Sequence, residues 1–202
     1  MKSLMTDLPP TTLSRAGGVI HYVVSGRNHA PALVLLHPLG ASLASWDPQL
    51  AEFERFFRVV RIDLRGHGRS TFDEASARSC SLQDRALDAL AVLDALRIER
   101  AHWCGSSIGG VTALQVAIMA PRRVLRLVVA NTAPDADLSA RLGEVQAPTL
   151  VIAGAHDPSI PVEQAEELAG GISGADLVVL DAAQLSHIDQ AEDFTRTVVD
   201  FL

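Results

Sequence analysis

The sequence is poor in cysteine and has no long apolar run, and these two shortages exclude whole classes of protein. Only two cysteines occur in 202 residues. Because Cys104 lies inside an apolar segment, we expect Cys80 and Cys104 to be buried free thiols rather than part of a disulfide framework. No apolar run approaches the length that spans a bilayer, so we expect no membrane partner. Residues 1–10 contain one lysine, an acidic residue and two prolines without an apolar signal segment, which favours a cytoplasmic protein.

Positive charge is also scarce. The chain has 17 Lys plus Arg against 24 Asp plus Glu, and its formal net charge is -7. The basic residues are scattered and form no stripe that could neutralise phosphates, so we expect no nucleic-acid partner. With 48% hydrophobic and 20% charged residues the composition is that of a globular protein. We find no internal repeat and no linker, and therefore expect residues 1–202 to form a single domain.

Short apolar runs alternate with longer helical patterns along the chain. This alternation predicts an α/β fold with a mostly parallel sheet covered by helices on both faces. The predicted strands are 18–24 as an edge strand, 33–36, 58–64, 102–105, 125–130, 150–153 and 177–180. The clearest predicted helix spans 82–98, with apolar residues on one face and a capping box formed by Ser81 and Asp84.

A serine flanked by glycines follows one predicted strand and precedes a helical pattern. Gly105, Ser107 and Gly109 form a G-x-S-x-G motif. A strand that turns sharply into a helix forces the central residue into strained backbone angles, and side chains two residues away would collide. We therefore predict Ser107 as a nucleophile, with the backbone amide of Ile108, at the start of the helix, as a donor to an oxyanion.

A second loop, the sequence HPLG at residues 37–40, follows the predicted strand 33–36. Such a loop supplies the other half of an oxyanion hole in enzymes that have a G-x-S-x-G turn. Pro38 has no N–H group, so the second donor is predicted to be the amide of Leu39. The alternative is an ordinary strand-to-helix turn in which the His37 ring is hydrogen-bonded internally.

Four segments occur in the order usual for α/β-hydrolases: HPLG at 37–40, DLRGHGRS at 63–70, GSSIGG at 105–110 and GAHD at 154–157. The chain resembles this superfamily over nearly its whole length. The phrases WDPQL, VVANTA, APTLVIAG and VVLDAA, which end at residues 50, 133, 154 and 183, are most similar to 3-oxoadipate enol-lactonases. The resemblance implies an α/β-hydrolase fold and hydrolysis of an ester or lactone, and it implies no metal or cofactor.

The acid of a catalytic triad is predicted at Asp157. In this fold the chain order is serine, then an acid after a late strand, then histidine. Asp157 follows the predicted strand 150–153 in a G-x-x-D pattern, and its carboxylate could orient and stabilise an imidazole. The alternative is a turn residue, because Pro158 comes next.

The base is where the sequence departs from the pattern. Of the seven histidines, His187 alone follows Asp157, so we predict His187 as the base. Enol-lactonases, however, carry their catalytic histidine directly after a phrase like VVLDAA, where this chain has Gln184, which cannot take a proton at neutral pH. If the segment is helical, positions 184 and 187 share a face and are displaced by roughly 4.5 Å. In an extended segment the displacement is roughly 10 Å. The alternative is a solvent-facing His187 beside a lost or replaced base.

The connection between the predicted strands 125–130 and 150–153 is short. Enol-lactonases and their relatives insert a helical cap there, whereas residues 132–147 leave room for one short helix around 137–142. We therefore expect an open, wet site with poor discrimination among substrates. Surface that a cap would cover is expected to be exposed, which favours a homo-oligomer.

Two functions of different classes remain open. The first is a serine hydrolase of small carboxylic esters or lactones, acting through an acyl-enzyme with Ser107, Asp157 and His187. The second is a catalytically silent scaffold that binds a small ligand or partner, which Gln184 and the missing cap favour. Perhydrolase or haloperoxidase chemistry would use the same triad. Haloalkane dehalogenases and epoxide hydrolases are disfavoured, because their resemblance requires aspartate at the position of Ser107.

Overall fold

The computed structural model describes residues 11–75 and 80–202. The segment 1–10, inspected above for a signal sequence, lies outside the described residues. The strands are β1 (Thr11–Arg15), β2 (Gly18–Gly26), β3 (Ala32–Leu36), β4 (Arg58–Ile62), β5 (Thr71–Phe72), β6 (Ala101–Ser106), β7 (Val124–Ala130), β8 (Thr149–Gly154) and β9 (Asp176–Leu180). The α-helices of the described residues are α1 (Asp47–Phe56), α2 (Leu82–Ala95), α3 (Ile108–Met119), α4 (Ala136–Ser139), α5 (Val162–Gly171), α6 (Ser186–Asp189) and α7 (Ala191–Phe201). Short 3-10 turns lie at Leu43–Trp46, Pro121–Arg123 and Leu142–Glu144.

The strands form one mixed sheet in the order β1-β2-β4-β3-β6-β7-β8-β9, and β5 pairs with β2. The pairs β1–β2, β2–β4 and β2–β5 are antiparallel, and every pair from β4 through to β9 is parallel. The carboxyl ends of the parallel strands therefore meet at one edge of the sheet, where ligands bind in open α/β folds. Ser107 and Asp157 lie at this edge, because they follow β6 and β8.

Helices cover both faces of the sheet, as the apolar runs predicted. On one face α2, α3 and α5 pack against one set of strand side chains, including Val34, Val60 and Trp103. On the other face α1 and α7 pack against a second set, which includes Leu33 and Leu35. Every residue of β3 is buried because both of its faces are covered.

The structure corrects three predictions about strands and helices. Strand β2 is not the edge strand that the sequence suggested, because β1 pairs along its outer side. Helix α2 ends at Ala95 rather than residue 98, and Arg97 has a φ of 54°, which a helix cannot contain. The helix expected around 137–142 is split into α4 and the 3-10 turn Leu142–Glu144.

The predicted capping box is confirmed, since the side chains of Ser81 and Asp84 each bond the other residue's backbone. Cys80 and Cys104 are free thiols. Cys104 is buried in β6 as expected, but the expected burial of Cys80 is wrong, because Cys80 is only half-buried. Within residues 11–75 and 80–202, no helix has the length and apolar character needed to cross a membrane.

Candidate active site

Ser107 lies on a strained turn between β6 and α3. Its backbone φ is 52° and its ψ is -119°, in a region that costs a non-glycine residue about 1–3 kcal/mol. The flanking glycines make the turn possible: a Cβ atom at Gly105 would lie 2.3 Å from the Gly109 carbonyl oxygen. One at Gly109 would lie 2.1 Å from the carbonyl oxygen of Leu36. The local geometry is therefore the sharp strand-to-helix turn that the G-x-S-x-G spacing predicted.

The two adjacent serines have different environments. Ser106 is fully buried in β6, and its hydroxyl has no hydrogen-bond partner among the described residues. Ser107 is half-buried at the edge of the sheet, and its N–H donates to the carbonyl of Ala130 at 2.9 Å. Of the two, Ser107 is thus the serine that a substrate can reach.

The HPLG loop packs directly against the serine turn. The close approach of Gly109 to the carbonyl groups of Leu36 and His37 places this loop beside the first turn of α3, where Ile108 begins the helix. Leu39 is 69% exposed at the tip of the loop. The predicted positions of the two amide donors, Leu39 and Ile108, therefore lie on adjoining segments.

The His37 ring holds this loop in place. Its Nδ1 donates to the Pro38 carbonyl at 2.8 Å, and its Nε2 accepts from the Leu64 N–H at 2.9 Å. Burial lowers the pKa of His37, so the ring stays neutral in this tautomer. The internally hydrogen-bonded His37 that was considered as the alternative is therefore present, and it fixes the loop without excluding an oxyanion role for Leu39.

Asp157 is buried at the carboxyl end of β8. Its Oδ1 accepts from the backbone N–H groups of Ser159 and Ile160 at 2.9 and 3.1 Å, so one carboxylate oxygen closes the turn. Its Oδ2 accepts from the Asn131 side chain at 3.1 Å. Asp157 therefore has the turn role that was considered as the alternative, and its second oxygen accepts from Asn131.

Asn131 is a site residue that the sequence reasoning missed. It directly follows β7, is 2% exposed and has a φ of 47°. Its Nδ2 donates to Asp157 and to the Ala183 carbonyl, both at 3.1 Å, while its Oδ1 accepts from the Ser186 hydroxyl at 2.5 Å. The available signal was its position: a polar residue immediately after a buried strand, at the edge that carries Ser107 and Asp157.

The structure places His187 in the hydrophobic core. Its ring is fully buried, with its centroid 4.6 Å from the Trp46 ring and 6.0 Å from that of Phe194. Neither ring nitrogen has a hydrogen-bond partner within the described part of the chain. Burial lowers the pKa of His187 to about 4. Its backbone carbonyl accepts from the Gln49 side chain at 2.6 Å, which ties this turn to α1.

This position corrects the predicted triad. His187 makes neither of the two hydrogen bonds, to Ser107 and to Asp157, that a base in the triad requires, and it is not the solvent-facing residue considered as the alternative. The physical reason is where the helix starts. Helix α6 begins at Ser186, and Leu185 before it has φ -112° and ψ 58°, so positions 184 and 187 do not share a helical face.

Gln184 follows a residue that shares a hydrogen-bond partner with Asp157. The Ala183 carbonyl bonds the same Asn131 amide group that bonds Asp157, and Gln184 is the next residue. The segment before it packs on the end of β8, since a Cβ atom at Gly154 would lie 2.2 Å from the Ala183 carbonyl oxygen. The Gln184 side chain is exposed. The edge thus combines a serine turn, an adjoining amide loop and a hydrogen-bonded carboxylate, and Gln184 follows directly after the residue that shares Asn131 with this carboxylate.

Metal ligands were also considered. Among the residues that the structure describes, no group of three or more His, Cys, Asp or Glu side chains is placed to hold a metal ion.

A family model described as the alpha/beta hydrolase fold matches residues 31–143. The chain belongs to this family. It is 28% identical to 3-oxoadipate enol-lactonase 1 of Acinetobacter baylyi over 256 residues, covering 94% of this chain and 95% of the relative. It is also 28% identical to a protein named as a candidate carbamate hydrolase, RutD, of Variovorax paradoxus, over 91% of this chain and 96% of that protein. The crystal structure of the enol-lactonase from Burkholderia xenovorans LB400 matches with a TM-score of 0.89 and 29% identity, over 95% of this chain and 99% of that chain.

The alignment with the first of these relatives also shows that this alpha/beta hydrolase is the shorter of the two. An alignment of 256 residues exceeds the 202 residues of the chain, so the enol-lactonase of Acinetobacter baylyi contains segments that are absent here. Between β7 and β8 this hydrolase has only residues 131–148, with α4 and one 3-10 turn. The short connection agrees with the expected lack of a helical cap.

Proposed function

We propose that this alpha/beta hydrolase cleaves small carboxylic esters or lactones through an acyl-enzyme on Ser107. The observation that carries the proposal is the strained backbone of Ser107, with φ at 52°, between two glycines that no larger residue could replace. Such strain persists only where the surrounding structure enforces it, and it is concentrated at functional sites. Here it coincides with a half-buried serine at the edge of the sheet.

The proposed reaction has two steps. The Ser107 oxygen attacks the carbonyl carbon and gives its proton to a solvent water, while the amides of Leu39 and Ile108 donate to the negative oxygen of the tetrahedral intermediate. Collapse of the intermediate breaks the bond to the leaving alkoxide, which takes a proton from solvent, and leaves an ester on Ser107. A water molecule then attacks this ester and gives a proton to solvent, and the serine oxygen leaves and takes up a proton, which releases the acid and restores the serine hydroxyl.

We propose that turnover is slow because no imidazole receives the Ser107 proton. In a comparable triad, loss of the histidine costs about 10⁶ in kcat, while the oxyanion hole and binding still give roughly 10³ to 10⁴ over water. His187, stacked on Trp46, does not fill the role. Activated esters, whose leaving groups need no protonation, are therefore the substrates on which activity is expected.

The open edge also favours broad substrate selection. With only residues 131–148 between β7 and β8, few side chains are available to enclose an acyl group. A pocket that is not enclosed contributes little to discrimination among chain lengths. The names of the relatives, which include enol-lactonases and a candidate carbamate hydrolase, support carbonyl substrates with an oxygen or nitrogen leaving group.

Ligand binding without turnover is the second candidate function. One specific observation favours it: an exposed glutamine, Gln184, follows the residue that shares the Asn131 amide with the acid. In that case the strained Ser107 would serve only to present a hydroxyl to a bound ligand.

Hydrolysis of p-nitrophenyl esters from acetate to octanoate separates the two functions. We expect slow turnover by the wild type, abolished in Ser107→Ala and retained in Ser106→Ala, the matched variant of the buried neighbour. A methylene contributes about 1–3 kcal/mol to discrimination when an apolar pocket encloses it. Because this site is open, rates along the acyl series should differ by less than about ten-fold. Equal rates for the wild type and Ser107→Ala would favour the binding function instead.

A further inference from the structure

The side chain of Asn131 is a junction between three segments of the site. Its Nδ2 contacts the Oδ2 of Asp157 and the carbonyl of Ala183, and its Oδ1 accepts from both the hydroxyl and the N–H of Ser186. Its own N–H donates to the carbonyl of Ile152 in β8 at 2.8 Å. Its side-chain polar atoms thus face Asp157 or the segment that follows β9.

We propose that Asn131 is a positioning residue for hydrolysis at Ser107, orienting the Asp157 carboxylate and holding residue 184 beside it. This inference rests on the proposed function. In this proposal Asn131 aligns the carboxylate of Asp157 with residue 184, the position at which a base is needed.

The hydrogen-bond network fixes which way the amide points. The Ser186 backbone N–H can only donate, so the atom facing it must be the oxygen of Asn131. The NH₂ group then faces a carboxylate and a carbonyl, both of which can only accept. A flipped amide would place its oxygen against these two acceptors, so only one orientation satisfies the site.

The contacts of Asp157 show what this orientation does. Its Oδ1 already accepts two backbone N–H groups, whereas its Oδ2 accepts from Asn131 alone among the described residues. A carboxylate oxygen offers about two acceptor positions, so one position on Oδ2 stays open. Ala183 accepts from the same NH₂ group, so Asn131 ties the residue that precedes Gln184 to the carboxylate of Asp157.

The backbone of Asn131 suits a clean test. At a φ of 47° asparagine and glycine are tolerated far better than other residues, so Asn131→Gly removes the amide without adding backbone strain. The exposed Asn28 provides the matched control, Asn28→Gly, because it lies in a surface turn outside the site. Gln184→His supplies the missing imidazole next to Asp157.

The test is a double-mutant cycle on kcat/KM for p-nitrophenyl acetate, measured from pH 5 to pH 9. We expect Gln184→His to raise kcat/KM by at least about 100-fold, with a rise through the pH range in which an imidazole titrates. Adding Asn131→Gly should then remove at least about ten-fold of this gain and flatten the imidazole-dependent rise, because an unoriented acid no longer supports the base. Asn28→Gly should leave the gain intact.

A merely structural role for Asn131 would reduce kcat/KM equally in the wild-type and Gln184→His backgrounds, and that result overturns the proposal. So does a gain from Gln184→His that survives Asn131→Gly, which would leave the proposed function standing. If Gln184→His brings no gain, the positioning role is also wrong, whereas the proposed function is judged separately by the Ser107→Ala comparison. Should Asn131→Gly fail to fold, Asn131→Asp, which keeps the size but replaces the donor with an acceptor facing Asp157, must show the same loss.

Discussion

His187 illustrates how chain order and geometry differ at the scale of one residue. Chain order selected it because it is the histidine that follows Asp157. Chain order says nothing about the direction of a side chain, however, and the start of α6 at Ser186 turns the ring towards Trp46. A helix starting two residues earlier would have placed positions 184 and 187 on one face, and this difference of two residues is below what sequence patterns resolve.

The buried His187 predicts a specific dependence of stability on pH. Its pKa is about 4 in the folded protein against an ordinary value of 6.5, so the unfolded chain binds a proton more readily. The unfolding free energy is therefore unaffected by protonation of His187 above pH 6.5, and it falls as the pH is lowered from 6.5 towards 4. Between pH 7 and pH 5 the wild type should therefore lose about 2 kcal/mol more unfolding free energy than His187→Leu. Urea unfolding at the two pH values measures this difference.

His156→Gln is the control for that experiment, because it removes an exposed histidine and leaves the buried ring of His187 in place. His187→Leu should also retain the hydrolysis of p-nitrophenyl acetate, since the ring does not contact Ser107. If His187→Leu showed the wild-type pH dependence, His187 would not be buried as a neutral group. If His187→Leu folded correctly but no longer hydrolysed the ester, His187 would be the base after all.

At the scale of strands and helices, burial on both faces decided what could be predicted. Strands β3 and β8 are buried at every position, so each appears in the sequence as a continuous apolar run. Strand β1 has the sequence TTLSR with a single apolar residue, and it joins the sheet through backbone pairing that no pattern of side chains announces. The error of assigning the edge to β2 follows from missing β1.

The candidate site divides in the same way. Ser107 and Asp157 could be predicted because each follows a strand within a local motif whose chemistry depends on a few neighbouring residues. Asn131 and the segment around Gln184 could not, because their roles arise from contacts between β7, β8 and the segment after β9. These contacts join residues 131, 157, 183 and 186, which are distant in sequence.

The serine turn predicts that Gly109→Ala is severely disruptive. Its new Cβ atom would lie 2.1 Å from the Leu36 carbonyl oxygen, which is backbone and cannot move aside without shifting β3. We expect a loss of about 1–3 kcal/mol of unfolding free energy together with loss of ester hydrolysis. Gly143→Ala is the matched control, since nothing lies within 4 Å of its new Cβ atom. Denaturant unfolding of both variants measures the difference. Equal losses of unfolding free energy in the two variants would refute the close packing of the turn.

At the scale of the whole molecule, the parallel sheet assembles the site. The pairing of β6 with β7 and of β7 with β8 aligns their carboxyl ends, so a continuous path of hydrogen bonds runs along one edge. Ser107 bonds Ala130, and the next residue, Asn131, bonds Asp157. The fold thus holds Ser107 and Asp157 at one edge through β6, β7, β8 and Asn131, the first residue after β7.

The most direct test of the account is the rate and position of labelling by a fluorophosphonate, followed by intact mass and peptide mapping. The account predicts one slow adduct on Ser107 in the wild type, unchanged in Ser106→Ala and absent in Ser107→Ala. Gln184→His should react faster, because an imidazole beside Asp157 would then take the serine proton. An adduct on any other residue, or equal labelling of the wild type and Ser107→Ala, would contradict a serine hydrolase acting through Ser107.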